Sequence, residues 1–371
     1  MDYKPVQRDL IVVGGGPVGA TLARAAHGLS VALIAQERPA PPPRDGFDAR
    51  VYALSPGNVE FLRALGVWPT DRVVPVHAMR IFGDETSAKL EFDAYSAGVP
   101  ELAWIVEDSR LQQALWRDLE AVSARISHLR LGEDGVSVVL ADGAALSGKL
   151  LVGADGANSF VRAQAGISVR ERDYGQSALV ANFRCEKPHG NVAYQWFQRG
   201  AVLALLPLPG DHVSMVWSLS RDVADLAHEV EIASRGELGQ LELVTAPRSY
   251  RLRRLAAERM VKPRVALAGD AAHVIHPLAG QGLNLGLQDA RALAQVLSER
   301  EPSRDPGDLR LLRRYERMRA EPILAMDTMV DTLFRLFGAE HAAVARLRNA
   351  GLNLTDRLPV VKNLLMRHAM A

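Results

Sequence analysis

Cysteine occurs once, at Cys185. Neither an intramolecular disulfide nor a thiolate metal cluster can be built, and a reducing compartment fits such a chain. Excess charge is missing as well: 44 Lys and Arg stand against 43 Asp and Glu, a formal net charge of +1. A polyanion-binding surface is therefore not the default, and nucleic acid is not an expected partner. Long apolar runs are also lacking. No stretch approaches the roughly 20 uninterrupted apolar residues that a spanning helix needs, so any membrane contact is expected to be peripheral. Met1 to Asp9 carry charges and Pro5 where a secretory signal would have an apolar core, which predicts a cytoplasmic protein, at most peripheral to the inner face of the membrane. Internal repeats are not apparent, and the low-complexity run Pro39-Ala40-Pro41-Pro42-Pro43 reads as a stiff exposed turn.

What is present is the balance of a globular chain: 371 residues, 48% hydrophobic and 23% charged, enough for two or three folding units at about 100–200 residues each. Leu10-Ile11-Val12-Val13 reads as a buried strand, followed by a glycine turn, a helix from Val18 to Ala26 and a second strand, Val31–Ile34. Together they make a βαβ unit. Pro56–Leu65 and Ser109–Leu119 have helical apolar spacing, and Val136–Leu140 and Lys149–Val152 read as strands. From Leu179 to Leu219, strand-like runs separated by turn signals predict a mostly antiparallel sheet. A core strand returns at Arg264–Ala268, a helix follows over Leu283–Leu297, and the remainder from Leu309 is largely helical. The chain must therefore come back to its first layer after an excursion.

Three glycine-bearing segments carry the chemistry. Gly14-Gly15-Gly16-Pro17-Val18-Gly19 satisfies G-x-G-x-x-G directly after a strand and at the opening of a helix. The first glycine serves the tight turn, the second lets backbone approach a pyrophosphate, and the third packs helix on strand. An acid should follow the second strand; Glu37 lies 18 residues after Gly19, although the place directly after Ile34 is Ala35. Gly153-Ala154-Asp155-Gly156-Ala157-Asn158-Ser159 follows another strand, and Asp155 before a glycine also suits a plain turn. The third segment runs from Gly269-Asp270 through His273, His276 and Pro277 to Gly280-Gln281-Gly282-Leu283-Asn284. An aspartate at a strand's carboxyl end can accept bonds from ribityl or ribose hydroxyls, and bare backbone N–H groups at a helix start favour a developing anion. His273 and His276 read as core or capping residues; without cysteine or a third carboxylate they do not make a metal site.

In order and spacing, Gly14–Gly19, Gly153–Arg162 and Gly269–Gly286 resemble the three fingerprints of the FAD-dependent class A aromatic monooxygenases, the para-hydroxybenzoate hydroxylase fold. The third closely resembles the branch that hydroxylates polyprenylated phenols in ubiquinone biosynthesis. Gly46–Ser55 with Leu65–Trp68, and Leu347–Leu352 with Leu358-Pro359, support that branch. The resemblance implies an α/β fold: a Rossmann-like FAD-binding βαβ layer (1–75, 101–172 and 255–300), interrupted by a mostly antiparallel β-sheet substrate domain (76–100 and 173–254), with a C-terminal helical region (301–371).

It further implies FAD as cofactor, NAD(P)H as transient reductant, and O₂ adding to reduced flavin to give a hydroperoxide that attacks a phenol ring. Arg50 is then expected beside the isoalloxazine, the Gly280–Asn284 backbone at its N1/C2 edge, and Pro277 facing the reacting carbon. Catalytic roles fall to Arg50, Pro277, Gly280 and Gln281. Cofactor contacts fall to Gly14, Gly16, Pro17, Gly19, Glu37, Arg50, Asp155, Gly156, Gly269, Asp270, Pro277, Gly280, Gly282, Leu283 and Asn284. Expected partners are the polyprenyl phenol, O₂ and other quinone-biosynthesis proteins. Tyr194, Trp196, Phe197, Leu203, Leu205, Met215 and Trp217 offer either an apolar substrate channel or ordinary sheet core. In the tail, Met326, Met329, Val330, Leu333, Phe334 and Phe337, with basic Arg335, Arg346, Arg348 and Arg357 nearby, read as core packing or as a docking face. Two other readings stay open: a same-fold flavoprotein acting on another aromatic or prenyl substrate, and a non-catalytic assembly subunit.

Overall fold

Strand Gln7–Val13 has nothing but apolar side chains over its last four residues, and all four are buried, as in central parallel strands covered on both faces. In the computed structural model, which describes residues 7–84, 88–198, 200–276 and 280–338, it is the middle of an eight-stranded sheet. Parallel neighbours flank it, Val31–Ala35 on one side and Ala145–Gly153 on the other. Outside these lie Ala121–Ser123 and the returning strand Val265–Leu267, again parallel. Register then sets where the turns emerge: Val13 pairs with Gly153, and Gly153 with Leu267. Three strands far apart in sequence end at one level, so all three glycine-bearing turns leave the sheet along a single edge.

The excursion builds a nine-stranded sheet around Val169–Cys185, a strand of 17 residues. Its antiparallel neighbours are His212–Leu219 and Arg248–Ala257. Ala201–Leu208 and Val192–Gln198 continue it, and Ala78–Phe82 adds in parallel. One face packs Phe183, Tyr194, Trp196, Leu203, Leu205, Met215 and Trp217 into a core with helix Leu226–Ala233. Trp196 stacks between Phe82 and Tyr194 at 5.3 and 5.7 Å. A three-stranded sheet of Val51–Leu54, Ala103–Glu107 and Val74–Val76 lies between the two large ones in the chain's path.

Helix Pro17–Ala25 packs on Gly282–Ser298, and that helix on Leu309–Gly338. Tyr315 on the last is fully buried and donates its hydroxyl to the Leu267 carbonyl at 2.8 Å. Further along it, Met326, Met329, Val330, Leu333 and Phe334 pack with Phe197, Val202, Ile275 and Leu285. This favours the core-packing alternative for these five; the Phe337 side chain and Arg346, Arg348 and Arg357 lie outside the described residues. The helix expected over Ser109–Leu119 runs Asp108–Trp116 instead, and Asp118 just beyond it takes a left-handed φ of 54° that no helix continues through. Among the described residues no helix is long and apolar enough to cross a membrane.

Candidate active site

Between the sheet edge and the free face of the nine-stranded sheet runs a cleft of about 1180 Å³. Gly14, Gly16, Pro17, Glu37, Arg50, Asp155, Gly156, Asp270, Gly280, Gly282 and Leu283 all line it. The opposite wall is apolar, made of Ala178, Val180, Leu206 and Val216 with Val274 and Ile275. One space thus joins all three loops to the sheet.

At the first loop each glycine has a separate cause. Gly14 sits at φ +114°, and a Cβ there would meet the Ala154 carbonyl oxygen at 2.1 Å. A Cβ on Gly19 would meet the Gly14 oxygen at 1.9 Å, so this residue is buried packing and does not line the cleft. Around Gly16, by contrast, nothing lies within 4 Å of the Cβ position. That open approach, at the N-terminus of Pro17–Ala25, fits the backbone contact a pyrophosphate makes at a helix start. Gly15 is closed from behind: Trp116 Nε1 donates to its carbonyl at 2.9 Å, and its Cβ would strike the indole at 2.5 Å. Glu37 stands exposed at the rim of the cleft, with Ala35 buried at the strand end.

Asp155 has two roles at once. It lines the cleft, yet its carboxylate accepts from Ser159 Oγ at 2.5 Å and from the Val161 N–H at 3.1 Å, bonds that start helix Phe160–Gln164. Arg162 then ties the second loop to the third, donating to the Ala157 and Ala271 carbonyls, both at 2.9 Å. Sequence reading assigned Arg162 no role; a buried cation one turn into a helix that follows the motif was its available signal.

The third loop is anchored from below. Asp289, fully buried, accepts from the Gly269 N–H at 2.9 Å and from Arg319 Nε at 2.7 Å, and pairs with His273 Nε2 at 2.6 Å. Burial opposes its charge, but His273 and Arg319 prevail and hold the carboxyl below its ordinary range. His276 is buried against Tyr174 and Phe334, ring centroids 4.7 and 4.8 Å away, and burial pushes its pKa down to about 4. Asp270 opens on the cleft, where desolvation raises its carboxyl despite the nearby His273 and Arg50 charges.

Gln281 and Asn284 do not line the cleft. The Gln281 carbonyl accepts the first bond of helix Gly282–Ser298, from Leu285 at 3.0 Å. Asn284 is buried: Oδ1 accepts from the Ser55 N–H and Asn58 Nδ2, and Nδ2 donates to the Ala53 carbonyl, each at 2.9 Å. Its amide fixes the segment behind Arg50, which leaves backbone as what this turn offers the cleft. The N–H groups of 282, 283 and 284 precede the first intrahelical bond, the position at which a helix start can meet an anion. Pro277 lies outside the described residues.

Arg50 lies over the Tyr52 ring at 5.1 Å, and Tyr52 donates to Asp108 Oδ1 at 2.9 Å. Tyr52, with Asp108 and Asp270, strengthens the Arg50 cation against desolvation. Tyr250 and Arg253 also line the cleft, as do Tyr52, Asp108 and Gln112, to which the sequence reading gave no role. Of the two readings for the bulky residues of the central sheet, packing favours core: Tyr194, Trp196, Leu203, Leu205, Met215 and Trp217 lie in the core on the other face, and Phe197 packs under the last helix. Strand alternation sends Leu206 and Val216, not Leu205 and Met215, to the cleft.

The opening at Gly16, Glu37 at the rim, Asp270 and the start of helix Gly282–Ser298 share one extended cleft, and a family described as FAD binding domain matches residues 7–327. The chain belongs to this family of FAD-dependent hydroxylases. It is 36% identical to the ubiquinone hydroxylase UbiL of Rhodospirillum rubrum, covering 98% of this chain and 89% of that protein. To the 3-demethoxyubiquinol 3-hydroxylase of Escherichia coli it is 34% identical, covering 98% of each. Among solved structures, Klebsiella pneumoniae HpxO complexed with FAD and uric acid superposes with a TM-score of 0.76 at 18% identity, over 97% of each chain. As in the family, FAD is the cofactor.

Proposed function

We propose that this flavoenzyme hydroxylates the ring of a polyprenylated phenol on the route to ubiquinone, with NAD(P)H as reductant and O₂ as oxygen source. The observation that carries the reading is the continuity of the cleft from the Gly16 cradle to the apolar wall of Ala178, Val180, Leu206 and Val216. FAD, when bound, supplies the redox and oxygen chemistry. The chain supplies placement. Gly14 and Gly16, with the start of Pro17–Ala25, hold the pyrophosphate; Glu37 takes the ribose; Asp270 accepts from ribityl hydroxyls. Arg50, Gly280 and the N–H groups of 282–284 would set positive potential beside the flavin ring. The apolar wall orients the ring and excludes water.

In the same reading the layers divide as 1–75, 101–172 and 255–300 for FAD, and 76–100 and 173–254 for substrate. A polyprenyl tail makes the inner face of the membrane, and other quinone-biosynthesis proteins there, the place of encounter. The test is a purified protein given NAD(P)H, ¹⁸O₂ and a short-tailed prenyl phenol. Expected are a yellow protein, phenol-stimulated NAD(P)H oxidation and one labelled oxygen in the product. A colourless protein that FAD cannot reconstitute would turn the assignment to an assembly subunit, and unlabelled product would turn it to a reductase.

A further inference from the structure

We infer that Asn182 and Ser214 form a polar end to the substrate wall and receive a ring hydroxyl of the phenol, an inference that rests on the proposed function. The two residues are cross-strand partners on Val169–Cys185 and His212–Leu219. Val180 pairs with Val216 one step along the same two strands, and Leu206 pairs with Ser214 from the other side. Since Val180, Val216 and Leu206 all line the cleft and alternate residues share a face, Asn182 and Ser214 stand on the same face, one row beyond Val180 and Val216 and behind the lining of the cleft.

Both side chains are completely buried. Asn182 Nδ2 donates to the Asp48 carbonyl at 2.6 Å, which settles which end of the amide is the oxygen. That leaves Asn182 Oδ1 and Ser214 Oγ, and neither has a hydrogen-bond partner among the described residues. A buried polar atom left unmade costs about 1–3 kcal/mol, and two adjacent ones in a folded protein call for an occupant.

The chemistry of the pair defines that occupant. Asn182 Oδ1 can only accept, and Ser214 can donate. A phenolic hydroxyl donates to the first and accepts from the second, so one group satisfies both; an O-methyl ether can accept but has no proton for Asn182. Reaching them takes the ring oxygen one row deeper than the open wall, between the sheet and the segment whose Asp48 carbonyl holds the Asn182 amide. Ring polarity is thus read at the far end from the flavin loops, while Ala178 and Val180 nearer the cofactor offer only shape.

The test titrates FAD-loaded wild type, Ser214→Ala and Asn182→Ala with a short-tailed prenyl phenol and with its O-methyl ether, following the flavin absorption band. Wild type should favour the phenol by about tenfold or more; Asn182→Ala should lose most of that preference by weakening the phenol while the ether stays unchanged, and Ser214→Ala should weaken phenol and ether alike. FAD affinity and Tm, measured in parallel, should hold in Ser214→Ala, which deletes a hydroxyl without a partner. If Ser214→Ala binds phenol and ether as tightly as wild type, the pair holds only an ordered water and the inference falls while the proposed function stands. If wild type binds no phenol at all, both fall together.

Discussion

Gly14 and Gly16 belong to one motif yet should fail differently. Gly14→Ala drives a Cβ toward the Ala154 carbonyl at 2.1 Å and demands a positive φ of an alanine, so it should unfold or aggregate. Gly16→Val meets open space; its FAD-free Tm should stay within about 2 °C of wild type, while FAD affinity, read by flavin fluorescence quenching, falls by more than about tenfold. His276 gives a second prediction at this scale. Its folded pKa is held at about 4 against 6.5 for a free histidine. Between those values the unfolded chain binds the extra proton, so stability is full above pH 6.5 and is lost as pH falls toward 4, by up to about 3 kcal/mol. Thermal melts from about pH 7 to about pH 5 should show this fall, and His276→Leu should flatten it. Asp331 faces the same ring and moderates the shift. Sequence spacing brought Glu37 to the cleft rim, but it could not tell which atoms of Asn284 face the cleft. That depended on Ala53, Ser55 and Asn58, more than 220 residues away.

Among the elements, helices Gly282–Ser298 and Leu309–Gly338 meet at Asp289, whose carboxylate spans the third loop, His273 and Arg319. Asp289→Asn leaves Arg319 buried without its counter-charge, at a cost of about 3–5 kcal/mol. Its Tm should drop by several degrees, and FAD should bind more weakly even though Asp289 does not line the cleft; an unchanged FAD affinity would show that the Gly269 loop holds its shape alone. Element types were largely legible, because the buried parallel strands, glycine turns and helical spacing are local signals. The face of a strand was not. The run of residues 201–208 is apolar on both sides, so composition drew attention to the bulky Leu203, Leu205, Met215 and Trp217, and only the register against neighbouring strands shows that smaller side chains face the site.

For the molecule as a whole, the three loops converge because their strands end in register, and that was legible only as an order of motifs along the chain. FAD binding across both layers should raise stability by mass action, about 2.7 kcal/mol at a free concentration of about 100 Kd, so stripping the flavin should lower Tm by a few degrees and re-addition should restore it. A melt indifferent to FAD would contradict a site shared between the layers.

Strand Val169–Cys185 and its partner Arg248–Ala257 run unbroken from beside the first layer into the spine of the second, apart from a register shift between Asp173 and Ser177 where Gly175 takes φ +67°. A two-stranded ribbon of that length resists bending along its own axis. A swing of the second layer would have to bend both strands together at the break beside Gly175. With the ribbon holding its line, solution scattering profiles with and without substrate should superimpose.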